Sequence, residues 1–127
     1  MMKSPQQQIY DAIFKASLGL GYSTHDHLPP EAEAYPFVYI GEQFDQDRNT
    51  KTAIFGDVQQ TVHVYGRAED RATVTGMMDA LKTEIRKLRQ TENFDVRSRS
   101  VTARTIHENT GSAPLIHGIV ETTITFN

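Results

Sequence analysis

Residues 57–90 read DVQQTVHVYGRAEDRATVTGMMDALKTEIRKLRQ, and they decide the fold because a strand pattern passes straight into a helix pattern. Alternation sends Val58, Val62 and Val64 to one face of a strand and Gln59, Thr61, His63 and Tyr65 to the other, with Gln60 as an interruption. Asp70 stands where it can cap a helix over about 71–90. The apolar residues of that helix recur at helical spacing: Val74, Met77, Met78, Leu81, Ile85 and Leu88. This pattern is typical of a helix that lies on a sheet.

Gly76 interrupts the same helix, where glycine costs about 1 kcal/mol relative to alanine. We therefore expect another backbone to approach closely at Gly76, since only a residue without a Cβ leaves room for such an approach.

The region before this stretch predicts one more helix and one more strand. Ser4 and Pro5 are a helix start, and a stripe at Ile9, Ala12, Ile13, Ala16 and Leu20 follows before Gly19 and Gly21 end the helix. Prolines exclude a helix over 22–36 and favour an extended connection. The apolar run at 37–40 predicts a buried strand.

Two further strands are expected after the long helix. They cover about 94–107 and 115–126, with a turn at 109–112 between them. The order of elements predicts one α+β domain over residues 1–127. We expect a mainly antiparallel sheet of about four strands, with two helices packed on one of its faces.

The segment 41–56, GEQFDQDRNTKTAIFG, is too long for a tight turn and too polar for a core. A connection of this length inside a compact domain usually serves function or mobility. We interpret it as a long projecting β-hairpin arm with Asp47-Arg48-Asn49 near its tip. Phe44, Arg48, Lys51 and Phe55 make the arm a candidate interface with another subunit or partner, because aromatic residues and arginine are enriched at interfaces. The alternative is that these aromatics fold back onto their own sheet.

Composition excludes several classes of protein. The 127 residues contain no cysteine, which excludes a disulfide framework and thiolate zinc sites. No stretch approaches the roughly 18 apolar residues of a membrane helix, and the first residues lack the apolar region of a secretion signal. The formal net charge of −3 argues against a general nucleic-acid binder.

The charge is distributed unevenly. Residues 82–104 carry seven basic and three acidic side chains, whereas residues 1–81 carry six basic and eleven acidic ones. Candidate contact residues on this basic flank are Lys82, Arg86, Arg89, Arg97 and Arg99. Such an asymmetry can attract copies of the chain or a charged partner. The alternative is a solvated helix face followed by a polar strand.

The residue patterns indicate no catalytic machinery. No serine lies in a Gly-x-Ser-x-Gly context, no glycine-rich phosphate loop is present, and nothing places two carboxylates across a cleft. We therefore predict no enzyme activity and no cofactor. His25 and His27 are weak candidates for metal ligands, which His63, His107 or His117 could complete, but two ligands without a defined third are poor support for a site. The prediction is no metal.

Four segments, taken in order, resemble one known family. They are Gln8–Phe14, the stretch HDHLPP at 25–30 followed by YPFVYIGE at 35–42, VHVYGR at 62–67 running into MMDAL at 77–81, and HGIV at 117–120. In joint order and spacing they resemble the tail-completion proteins of long-tailed phages, also described as tail terminators or tail-to-head joining proteins. The resemblance spans about residues 6–126.

The resemblance implies a structural virion protein of a phage or prophage. Such proteins form a ring, usually a hexamer, at the head-proximal end of the tail tube, where the ring ends tube growth and joins the head connector. The implied partners are further copies of the chain, the tail tube protein and the head-completion protein, with no membrane. Assembly takes place in the host cytoplasm, and DNA passes through the bore without specific binding.

Two alternatives to this role stay open. One is a small-ligand or metal-binding α+β module centred on His25 and His27. The other is a nucleic-acid-binding module that uses Lys82, Arg86, Lys87, Arg89, Arg97 and Arg99. Salt dependence of DNA affinity and metal titration separate them from a structural role.

Overall fold

Ser4 begins the first helix, α1 (Pro5–Gly19), and its hydroxyl accepts a hydrogen bond of 3.1 Å from the Gln7 amide. The computed structural model describes residues 2–30, 34–47, 55–110 and 113–127. The predicted cap at Ser4 is thus confirmed. Helix α1 buries Ile9 and Ile13 as its stripe predicts.

Five strands form one mixed sheet in the spatial order β1-β2-β3-β5-β4. Their bounds are β1 Thr24–His25, β2 Phe37–Asp47, β3 Gly56–Arg67, β4 Val96–Thr110 and β5 Ala113–Phe126. The four long strands are antiparallel to their neighbours, and the short β1 pairs in parallel with Val38 and Tyr39 at one edge.

The second helix, α2 (Arg71–Lys87), follows a short 3-10 turn at Ala68–Asp70 and packs on β3, β5 and β4. Asp70 occupies the N-cap position, but its side chain makes no capping hydrogen bond. The core lies between both helices and one face of the sheet. It includes Val74, Met77, Met78, Leu81 and Ile85 of α2, together with Val58, Val62, Val64, Val120 and Ile124 of the sheet. The alternation predicted for β3 is therefore confirmed.

Gln60 interrupts that alternation because it fills a β-bulge. Strand β2 has one extra residue between Ile40 and Gln43 relative to β3. The side-chain nitrogen Nε2 of Gln60 donates to the Gly41 and Glu42 carbonyls at 3.1 Å each. Its side-chain oxygen Oε1 accepts from Gln43 Nε2 at 3.0 Å. A fully buried polar side chain is thus satisfied, as burial requires.

The expected close approach at Gly76 is wrong, because a Cβ added there would meet nothing within 4 Å. The close approaches are on the sheet instead. A Cβ on Gly66 would lie 2.5 Å from Val74 Cγ2, and a Cβ on Gly118 would collide with the Met78 side chain. These two glycines let α2 lie directly on β3 and β5.

Two details of the predicted architecture need correction. The sheet has five strands instead of about four, because β1 adds a parallel strand. The described parts of the predicted arm lie within the sheet, since β2 continues to Asp47 and Gly56 already pairs with both Asp47 and Phe126. Polar residues are compatible with strands there because one face of the sheet is not covered by the helices. The arm's tip, with Arg48 and Lys51, lies outside the described residues.

Within the described ranges, neither helix has the length and apolar character needed to cross a bilayer.

Candidate interaction surface

The face of the sheet opposite the helices carries a row of stacked rings, which we call the open face. Along it, ring centroids are 5.4 Å apart between Tyr35 and Phe37, 5.3 Å between Phe37 and Tyr65, and 4.1 Å between Tyr65 and His117. The pairing of Tyr65 opposite His117 on β3 and β5 creates the closest of these stacks. Mutual stacking buries His117 and Phe37 although no helix covers them.

A chain of four polar side chains crosses this face from β2 to β4. His63 Nε2 lies 2.8 Å from Glu42 Oε1, His63 Nδ1 lies 2.7 Å from His117 Nε2, and His117 Nδ1 lies 2.7 Å from Glu108 Oε1. We call this set the histidine–glutamate chain. It links four adjacent strands through three short hydrogen bonds.

Three such contacts require three protons on the two imidazole rings. Two neutral imidazoles carry only two, so with both carboxylates ionised one ring must be an imidazolium. Burial lowers the pKa of His117, against the opposing influence of its hydrogen bond to Glu108. This favours a neutral His117 that donates from Nδ1 to Glu108 and accepts at Nε2 from His63 Nδ1. The hydrogen bond from His63 in turn lowers the pKa of Glu42.

The arrangement braces the sheet and does not converge on a reacting atom. The four groups form a line, and each ring nitrogen is already occupied by a hydrogen-bond partner. Across the described residues, no three His, Cys, Asp or Glu groups are close enough together to hold a metal ion. Among the weak metal candidates, His25 Nε2 lies 3.1 Å from Ser23 Oγ, and His27 Nδ1 lies 2.6 Å from Asp26 Oδ1.

The structure brings together three of the predicted basic contact residues. Arg89, Arg97 and Arg99 line one shallow surface groove, together with Asp95, Val96, Thr125 and Asn127. Arg99 Nη1 is 3.7 Å from Asp57 Oδ1, and Arg89 Nη1 donates to the Arg86 and Leu88 carbonyls at 2.6 and 2.9 Å.

The remaining candidates lie elsewhere. Lys82 lies on α2 with its ammonium 3.4 Å from Asp79, and Arg86 is exposed in the last turn of the same helix. Phe44 lies on the open face near the edge of β2, with 67% of its surface exposed. Phe55 is half-buried just before β3.

Sequence reasoning placed His63 and Tyr65 on the face opposite the valines of β3 but missed the histidine–glutamate chain. Alternation indicates the face of a residue, whereas the contact between His63 and His117 depends on the register of β3 against β5. Glu42 was missed because the β-bulge, which alternation does not predict, precedes it.

Comparison with known proteins gives one family. A family model described as "Tail completion protein gp17" matches residues 11–125. No curated protein matches the chain.

The solved structures that match the chain include the following two. A chain of the virion of a native gene transfer agent (GTA) particle matches with a TM-score of 0.62 and 15% identity, over 96% of this chain and 95% of that one. At that identity the likeness shows a shared fold. The type 4 fimbrial biogenesis protein PilO from Pseudomonas aeruginosa matches with a TM-score of 0.37 and 12% identity, over 98% of this chain and 73% of that one. A score this low does not show a shared fold.

Proposed function

Because this chain belongs to the tail completion protein gp17 family, which comprises structural virion proteins and not enzymes, we propose that it forms a ring at the head-proximal end of a tail tube. A role as a structural tail component is common to the family. The finer proposal is a hexamer that ends tube growth and offers a surface to the head-completion protein. It assembles in the host cytoplasm, and the genome passes through its bore without specific binding.

The extent of the family match carries this proposal. Residues 11–125 include most of α1, all of α2 and nearly the whole sheet, so the family likeness extends over most of the chain and not over one motif. A chain from the virion of a gene transfer agent particle has a similar fold. This likeness supports a role in a virion.

A ring also requires a particular kind of surface. Each subunit must present two different patches that match each other, because a closed ring is built from heterologous contacts. The sheet offers two different edges, one formed by β4 and the other by the short β1 together with the part of β2 that β1 does not pair with. The open face adds an aromatic surface that the subunit's own helices leave uncovered.

The role is tested by deleting the gene for this chain from the phage or prophage that carries it. Electron microscopy should then show tail tubes of irregular, extended length that are not joined to heads. Supplying the wild-type gene in trans should restore uniform, joined tails. Tails of normal length joined to heads in the deletion strain would refute the proposal.

A second measurement tests the ring itself. Averaged images of the head-proximal tip of isolated tails should show sixfold density that antibodies against this chain label. Labelling at the opposite tip, or only along the tube, would place the protein elsewhere in the particle and contradict the proposed position.

A further inference from the structure

We propose that neighbouring copies in the ring associate through their sheet edges, with β4 of one copy pairing antiparallel to Gln43–Asp47 of β2 in the next copy. Phe44 then packs against Arg99 of the neighbour. This inference rests on the proposed ring and names the surfaces that close it.

Within the described ranges, neither edge pairs with a further strand over the relevant stretch, although the Ser100 carbonyl already accepts from Thr122 Oγ1 at 3.0 Å. Strand β4 pairs with β5 on one side only, and on its other side the described backbone bonds involve Val96, whose amide donates to the Arg89 carbonyl at 2.9 Å. Strand β1 pairs with β2 at Val38 and Tyr39 only, so the described part of β2 beyond the bulge has no strand beside it on that edge. Its side chains Gln43 and Asp45 bond to Gln6 of α1 at 3.0 and 3.2 Å. Such edges are templates for pairing with another chain.

The two edges are opposite in charge. Residues 41–47 of β2 include Glu42, Asp45 and Asp47 and no basic residue. Strand β4 carries Arg97, Arg99 and Arg104 against the single carboxylate of Glu108. Contact between unlike edges is therefore attractive, whereas contact between two β4 edges or two β2 edges brings like charges together. This argues for a second copy of the chain in a head-to-tail arrangement.

Strand direction and register fit closure of a ring. The four long strands alternate in direction, so β2 and β4 run in opposite senses. Rotation of a copy about an axis parallel to the strands keeps these senses, and it brings β4 beside the next β2 as an antiparallel pair. The rows across the sheet also match, because Phe44 pairs with Gln59, Gln59 with Thr123 and Thr123 with Ser100. Edges that meet at the same height need no rise along the axis, and a heterologous contact without a rise closes instead of forming a helix.

Phe44 and Arg99 supply the side-chain contact at this junction. Phe44 is 67% exposed on the open face, which is unusual for a phenylalanine. The row of paired residues that begins at Phe44 on β2 ends at Ser100 on β4. Arg99 is the extra residue of the β4 bulge between Ser98 and Ser100. In the single copy Arg99 Nη1 lies 3.7 Å from Asp57 Oδ1 on β3. On association the guanidinium turns from Asp57 toward the junction and meets the Phe44 ring of the neighbour in a cation–π contact.

Cysteine cross-linking tests the pairing in the whole chain, which has no cysteine of its own. Residues directly opposite in an antiparallel pair have Cα atoms about 4.5–5.5 Å apart, within the range that a disulfide spans. Under mild oxidation the double variant Phe44→Cys/Ser100→Cys should shift from monomer to a ladder of linked species on a non-reducing gel, and reductant should reverse the shift. Both positions are exposed, so the variant should fold, as circular dichroism will check.

Matched variants give the controls. Phe44→Cys alone and Ser100→Cys alone should stay monomeric on the gel, because head-to-tail pairing never brings two copies of one position together. Phe44→Cys/Arg104→Cys, four residues along the same strand, should form no ladder.

Three results would overturn the inference: no ladder from Phe44→Cys/Ser100→Cys, an equal ladder from the Arg104 control, or dimers from a single-cysteine variant. A sixfold ring on tail tips without the ladder would defeat the edge pairing and leave the ring intact. Normal joined tails after gene deletion would instead defeat the proposed function itself.

Discussion

His63 Nδ1 lies 2.7 Å from His117 Nε2, and each ring uses its other nitrogen to hold a glutamate. Both histidines are buried, on a sheet face that no helix covers. Because this contact lies between β3 and β5, it couples the central strands of the sheet to the protonation of one ring. The histidine–glutamate chain therefore ties the order of the open face to pH.

Acidification should destabilise the protein, and His117 should account for part of the loss. The folded pKa of His117 is lowered from 6.5 by burial, so the unfolded chain binds more protons below that pH. The stabilisation is complete above about pH 6.5 and is lost as the pH falls through the lowered pKa. Glu42, whose pKa is lowered from 4.5, acts with the same sign further down. Urea unfolding at pH 7.5, 6.5, 5.5 and 4.5 measures the effect.

The variant His117→Gln provides the comparison for that series, because it removes the titrating ring and keeps a polar side chain. Its free energy of unfolding should fall less steeply between pH 7.5 and 5.5 than that of the wild type. Parallel slopes for the two proteins would show that His117 does not couple folding to protons.

Breaking the histidine pair should be costly at any pH. His63→Ala removes the partner of His117 and of Glu42 and leaves a buried nitrogen unsatisfied, which we expect to lower the free energy of unfolding by about 1–3 kcal/mol. The control is His107→Gln, an exposed histidine on β4, which should change stability by no more than about 0.5 kcal/mol. Equal losses in both variants would contradict the structural role of the pair.

The glycines of the sheet and of α2 should respond oppositely to alanine. Gly66→Ala places a Cβ against the stiff side chain of Val74, which we expect to cost about 1–3 kcal/mol. Gly76→Ala meets open space on an exposed helix position and should stabilise the protein by up to about 1 kcal/mol. Thermal melts of the two variants beside the wild type give the comparison, and stabilisation by Gly66→Ala would mean that α2 lies further from β3 than described.

Most of the fold follows from residue periodicity, and the exceptions have physical causes. Both helices and the four long strands were predicted, because burial on one side imposes a period of two or of about 3.6. The two-residue β1 is too short to show a period. The prediction of an arm was wrong for residues 41–47, which belong to strand β2. These residues are polar because one face of the sheet is open, so their polarity does not indicate a loop.

The candidate surface was less predictable, since it depends on which strands become neighbours. Arg89, Arg97 and Arg99 line a groove between the end of α2 and the start of β4. The cluster of basic residues at 82–104 indicated these three side chains. Lys82 and Arg86 belong to the same run but do not line the groove. The long-range pair His63 and His117 is 54 residues apart, and nothing local in the sequence specifies it.

If DNA passes through the proposed ring without being held, the purified protein should show no measurable affinity for duplex DNA at about 150 mM salt. The groove of Arg89, Arg97 and Arg99 is the place where binding would arise, but Asp57 lies 3.7 Å from Arg99 and Asp95 lines the same groove, which lowers its attraction for phosphate. Titration from about 50 to 200 mM salt tests this, because phosphate neutralisation gives affinity that falls steeply with salt. A slope of several released counterions that disappears in Arg97→Ala/Arg99→Ala would favour a nucleic-acid-binding module over a conduit. Asp57→Ala sharpens the test, since freeing Arg99 from its carboxylate should increase whatever weak affinity exists at the lowest salt.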